Sequence, residues 1–132
     1  MQRSQRWRSF FSRDSLLTTL GHQVKILEKT YIIILVTASN KQEAEKLVQQ
    51  LLKTKLIACA NIVNSVSSIF HWSGKIEKTE EYLVLMKSRR ELFEEITKAV
   101  KEMHSYEVPE ILALPLVDGS KAYFEWMDSC LK

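Results

Sequence analysis

An α+β fold with the element order β-α-β-β-α-β and a further helix at the end is predicted by three features of this 132-residue chain. A β-branched run begins at Tyr31. Two amphipathic stripes at helical spacing follow it, and between them lie two long strand-like stretches joined by a tight turn.

The first element is Tyr31 to Thr37, apolar without alternation, the pattern of a strand buried on both faces. Ser39 then opens a helix with Gln42 in the capping-box position, and Ala44, Leu47, Val48, Leu51 and Leu52 recur on one face. Leu56 to Trp72 and Lys75 to Lys87 read as paired strands across a hairpin turn at Ser73-Gly74. Ser88 with Glu91 makes a second capping box, followed by the stripe Leu92, Phe93, Ile96, Ala99, Val100 and Met103, which ends near His104. Ile111 to Val117 supplies a fourth strand. Pro115 cannot donate to a ladder, so this strand is an edge or stops there. Gly119 to Leu131 closes the chain with a short helix bearing Tyr123, Trp126, Met127 and Cys130. The order is that of a ferredoxin-like sandwich with an added C-terminal helix and a long central hairpin.

The hairpin also bears on assembly. Strands of 13 and 17 residues at ~3.3 Å per residue span roughly 43 to 55 Å, whereas a domain of about 100 residues is around 35 Å across. The strands outrun their own domain, and exposed apolar strand edges aggregate unless covered. A closed homo-oligomer is expected. A kink near Asn64-Ser65 that folds the hairpin over is the competing outcome.

Residues 1–28 form a basic leader ahead of one folded domain at 29–132. Of 19 basic and 16 acidic residues, Arg3, Arg6, Arg8, Arg13 and Asp14 lie within the first 23, so residues 24–132 hold 15 of each. That neutrality argues against nucleic acid as a partner. Arginine, serine and a one-sided set of Trp7, Phe10, Phe11 and Leu17 match a mitochondrial transit peptide, the alternative being a disordered tail on a cytoplasmic protein. No apolar run reaches the ~18 residues that a membrane span needs. Cys59 and Cys130 do not form a disulfide framework and read as packing residues.

Three ungrouped glycines exclude a phosphate loop or dinucleotide fingerprint. Glu80 and Glu81 fall on opposite sides of a strand and cannot act as a pair. No nucleophile stands with a base, so no enzyme activity is expected. The segment His104-Ser105-Tyr106-Glu107-Val108-Pro109-Glu110 crowds titratable groups ahead of a strand. His104 is either a metal ligand, with Glu107, Glu110 or His71 as further donors, or a histidine favoured by the negative end of its helix. Trp72, Tyr82, Tyr106 and Trp126 are core residues or line a cleft where Lys75 and Lys87 anchor a small anion or peptide.

Leu56-Ile57-Ala58-Cys59-Ala60-Asn61-Ile62, then Phe70-His71-Trp72-Ser73-Gly74-Lys75-Ile76-Glu77 leading into Glu80 to Lys87, and finally the His104 segment, together resemble the CutA family of divalent-cation tolerance proteins. The resemblance covers about residues 31 to 130. It implies a homotrimer joined through the hairpins, similar to PII-like signalling proteins. It also implies a link to divalent cations, copper above all, or to a protein partner, as in the anchoring or processing of acetylcholinesterase. Trp72, Gly74, Lys75, Glu77, Tyr106, Pro109, Glu110 and Trp126 match the family's recurrent positions. The copper-binding bacterial pattern has a cysteine where this chain has Val36, and two consecutive histidines where it has Met103-His104. The expectation is a non-enzymatic trimer that binds copper or another divalent cation weakly through His104 and Glu110 and responds to metal ions. The alternative is a scaffold or small-ligand sensor whose cleft uses Trp72, Lys75, Tyr106, Glu110 and Trp126.

Overall fold

The computed structural model describes residues 30–132, and the leader expected at 1–28 lies outside them. Strand β1 (Tyr31–Ala38) is followed by helix α1 (Lys41–Lys53), strands β2 (Cys59–Trp72) and β3 (Lys75–Arg89), helix α2 (Phe93–Met103), strand β4 (Ile111–Pro115) and helix α3 (Lys121–Cys130). The strands make one antiparallel sheet in the order β2-β3-β1-β4. Element order and the edge position of β4, which ends at Pro115, match the sequence reading.

Burial follows the strand period. Ile32, Ile34, Val36 and Ala38 are fully buried, and they form the core with Val84 and Met86 of β3, Ala44, Leu47 and Leu51 of α1, and Ile96 and Val100 of α2. The other face of β1 departs from expectation. Tyr31, Ile33 and Leu35 are only half-buried, because both long helices lie on one side of the sheet. Neighbours on that second face include Val63, Leu112 and Leu114, exposed by 41, 54 and 41 %. At one end of it, Phe124 of α3 stacks on Tyr31 with ring centroids 4.1 Å apart. Asp128 of α3 accepts from the Tyr31 hydroxyl at 2.8 Å and from Arg89 at 3.0 Å.

Both predicted helix starts are corrected. The cap of α1 is Asn40, whose side chain accepts from the Glu43 amide at 2.8 Å, while Glu43 Oε1 accepts from the Ser39 amide at 3.0 Å. The box therefore sits one residue later than Ser39 and Gln42, and Leu52 turns outward at 41 % exposure. Ser88 caps nothing. It pairs with Ile32 in the sheet and its buried hydroxyl donates to the Leu56 carbonyl at 2.6 Å, so β3 runs on to Arg89 and α2 is entered through a short 3-10 turn, Arg90–Leu92. Ladder pairing outcompetes the local cap because it satisfies backbone groups as well as the hydroxyl.

The hairpin turns at Ser73 and Gly74, both with positive φ (49° and 76°), the backbone of a two-residue turn that suits right-twisted strands. A register shift between Val63 and Val66, with Ser65 at φ 54°, places a bulge at the kink position read from the sequence. Beyond it the hairpin continues to pair residue by residue, from Val66 opposite Glu81 to Trp72 opposite Lys75.

Candidate functional site

The distal hairpin, the end of β1 and the loop after α2 enclose an open cleft of about 900 Å³. Its position follows from the loop, which three hydrogen bonds fasten to three different elements. His104 is the residue after α2, and it is 9 % exposed. Its Nε2 lies 2.7 Å from the Thr37 carbonyl oxygen and its Nδ1 lies 3.0 Å from the Tyr106 amide. A carbonyl only accepts and an amide only donates, so the ring carries its proton on Nε2 and uses the Nδ1 lone pair for Tyr106. A metal at His104 has to displace one of these two backbone partners.

The second tether is Glu43, whose Oε2 accepts from the Ser105 amide at 2.7 Å. Burial pushes the Glu43 pKa up, but the hydrogen bonds from Ser105 and Ser39 outweigh it and hold the carboxyl below its ordinary value. The third is the Tyr106 hydroxyl, which donates to Glu81 Oε2 at 2.8 Å. Burial and that carboxylate push the Tyr106 pKa up to about 12. The His104 and Tyr106 rings also touch, with centroids 4.8 Å apart.

Trp72, Tyr106 and Glu110 of the expected set line the cleft together. Lys75, Trp126 and His104 do not. Lys75 opens β3 at the hairpin turn, and Trp126 packs against Tyr123 on α3 with centroids 5.3 Å apart. Lys87 sits by Cys59 and Asn61 at the other end of β3, with its ammonium 3.6 Å from the Cys59 sulfur. The cationic anchors expected for an anion are therefore elsewhere. Around the cleft stand Glu77, Glu81, Glu107 and Glu110 against Lys78 alone, so its charge favours a cation. Glu81 and Phe70 also line the cleft, and the sequence reading did not place them there. Alternation from Glu77 to Thr79 to Glu81 on one side of β3 is the signal that pointed to the first of them. Among the described residues no three His, Cys, Asp or Glu side chains converge on a point that can hold a metal ion.

Residues 32–130 match the family profile described as CutA1 divalent ion tolerance protein. The chain belongs to that family. It is 41% identical over 99 residues to the divalent-cation tolerance protein CutA of Archaeoglobus fulgidus, covering 75% of this chain and 96% of that one. It is 35% identical over 120 residues to the chloroplastic protein CutA of Arabidopsis thaliana, over 91% of this chain. The chain spans 66% of the length of that Arabidopsis relative and 54% of the chloroplastic CutA 1 of Oryza sativa. The crystal structure of CutA1 from Oryza sativa superposes with a TM-score of 0.76 at 36% identity, covering 78% of this chain and 94% of that one. The CutA structure from Archaeoglobus fulgidus superposes at 0.75 and 40% identity, over 77% and 99%. The CutA family sheet of four antiparallel strands with three helices is thus the fold of this chain. No helix among the described residues is long and apolar enough to cross a membrane.

Proposed function

We propose that this CutA-family chain is a non-enzymatic homotrimer that contributes to divalent-cation tolerance by taking up copper or another divalent cation in its acidic cleft. The observation that carries the reading is the charge of the lining, four carboxylates against one lysine. In this reading Glu110, Glu107 and Glu77 are the accessible carboxylates that meet the cation. His104 positions the loop that presents them, because both of its ring nitrogens are engaged by backbone groups. Relatives named as divalent-cation tolerance proteins support the cation as ligand. Trimer formation is supported by the half-buried second face of the sheet, where Leu112 and Leu114 lie exposed, and by a hairpin that extends past the helices.

A calorimetric titration of the whole chain with Cu(II) tests the reading. Saturable binding that falls in Glu107→Gln and Glu110→Gln is expected, and heats that never saturate refute it. Light scattering at micromolar concentration should give three times the chain mass, and a monomer there rejects the assembly. For the leader we propose organelle import, mitochondrial by its arginine and serine content, and two plant relatives carry the word chloroplastic in their names. A fluorescent fusion of residues 1–28 that stays cytosolic rules this out.

A further inference from the structure

The two partners of the His104 ring fix its tautomer, and they leave no place for a second ring proton. Nε2–H donates to the Thr37 carbonyl at 2.7 Å, and Nδ1 accepts from the Tyr106 amide at 3.0 Å. The residue is 9 % exposed and its own amide donates to the Val100 carbonyl at 2.8 Å, so the ring is set by the end of α2 and cannot simply turn out into water. A proton added to Nδ1 points a second N–H at the N–H of Tyr106. The imidazolium then has two donors and one acceptor. The bond that joins His104 to Tyr106 is open to the neutral ring alone.

The other two tethers of the loop keep their state in the range where a histidine changes its own, about pH 5 to 8. Tyr106, pushed up to about 12 by burial and by Glu81, keeps its proton throughout. Glu43, which burial pushes up but the hydrogen bonds from Ser105 and Ser39 hold below its ordinary value, keeps its charge. The titratable groups facing the ring are Glu43 from α1 and Tyr106 from the loop, with Glu81 of β3 behind the Tyr106 hydroxyl. Glu43 attracts positive charge and so assists protonation of the ring. An imidazolium in turn competes for that carboxylate with the Ser105 amide, which donates to it at 2.7 Å.

The geometry points to an acid-operated release of the loop, in which protonation of His104 at Nδ1 breaks its bond to the Tyr106 amide and loosens the segment from Ser105 to Glu110. The Nε2–H bond to Thr37 survives protonation, so α2 stays seated on β1 and the change is confined to the loop. The closed loop takes only the neutral ring and the open loop takes either form. Closing is therefore favoured as pH rises through the histidine range and lost as it falls. Glu107 and Glu110 are presented from a fixed place near neutral pH and from a loosened one in acid, whatever the cleft binds.

The test follows the full chain from pH 8 to about pH 5, with nitrogen-15 NMR of the His104 ring and amide exchange corrected for its intrinsic pH dependence. At pH 8 the ring should be neutral with its proton on Nε2. As it takes up the second proton, protection of the Ser105 and Tyr106 amides should fall by at least about tenfold while the amides of α2 and β1 hold. In His104→Gln, whose amide still donates to Thr37 but does not titrate, this loss should disappear. A ring that is protonated while Ser105 and Tyr106 stay protected overturns the inference, and so does a ring that stays neutral down to about pH 5. The same acid loss in His104→Gln overturns it as well, because the carboxylates then drive the change. Should His104→Gln fail to fold, the two outcomes on the parent chain decide.

Discussion

Tyr106→Phe removes a single hydroxyl and leaves the ring, so its consequences can be worked out from one contact. The hydroxyl donates at 2.8 Å to Glu81, a residue only 5 % exposed. Without it the carboxylate stays where it is and loses its hydrogen bond, a loss of about 1.5–3 kcal/mol for a charged acceptor. In urea, with a slope of roughly 1–3 kcal/mol/M, the unfolding midpoint should drop by on the order of 1 M. The effect has a pH signature. Burial and Glu81 raise the Tyr106 pKa from 10.0 to about 12. A raised folded-state pKa means that this contribution is complete below pH 10 and fades as pH rises through 12 and the phenolate forms against Glu81. The stability gap between the parent and Tyr106→Phe should therefore be constant from pH 7 to 9 and narrow between 10 and 12. Tyr31, also raised to about 12, is present in both proteins and cancels in the difference. Urea unfolding followed by circular dichroism at each pH provides the measurement. An unchanged midpoint at pH 7, or a gap that is flat to pH 12, refutes the assignment of the Tyr106–Glu81 bond as a tether.

Asn40→Ala deletes the side-chain acceptor for the Glu43 amide and should destabilise the fold by about 0.5–2 kcal/mol, read as a lowered urea midpoint. Ser39→Ala, at the position first read as the cap, should have a smaller effect because the Ser39 amide that donates to Glu43 is retained. Gly119→Ala places a methyl group 2.5 Å from the tip of the Phe124 ring, which has to move off Tyr31, at a cost of about 1–3 kcal/mol. Amide exchange in α3 should accelerate as a result. Arg89→Met removes one of the donors to Asp128 and the donor to the Lys132 backbone oxygen, so the C-terminal amides should lose protection by about 10-fold or more while those of β1 stay slow.

Elements whose signal is local were legible in the sequence. β1 announces itself by its apolar run, α1 and α2 by their stripes, and the hairpin by Ser73-Gly74. The helix starts went wrong for two separate reasons. Ser39 and Asn40 are adjacent and both can cap, each with a suitable residue three positions on, so only the backbone at Asn40 decides between them. Ser88 and Glu91 satisfy the box rule, but the ladder opposite Ile32 takes Ser88 into the sheet. The site was legible in composition and not in connectivity. Tyr106 and Glu81 are 25 residues apart, and His104 and Thr37 are 67 apart, so nothing in either segment tells that the first pair bonds or that the histidine is occupied. The charge of the cleft was misjudged for a related reason. Lys75 and Lys87 belong to the strand that lines the cleft, but one lies at its turn and the other past the level of the β2 bulge, and only Lys78 of the three is among the lining residues.

The three tethers of the loop explain why a histidine central to the site need not touch the ligand. Glu43 holds the Ser105 amide from α1, Thr37 holds the His104 ring from β1, and Glu81 holds the Tyr106 hydroxyl from β3. Each element supplies one fixed point, and each point falls at or before Tyr106. Past Tyr106 the loop carries Glu107, Val108 and Glu110, which are exposed and line the cleft, until Ile111 joins β1 opposite Val36. The ends of the segment are thus fixed by the sheet and by the tethers while its carboxylates stay free to meet a charge. Such a division suits a site that works through presented charge more than through a closed set of ligands. It also gives His104 a role that survives Val36 and Met103. A ring that accepts from one backbone group and donates to another sets the place of the carboxylates whatever ion they meet.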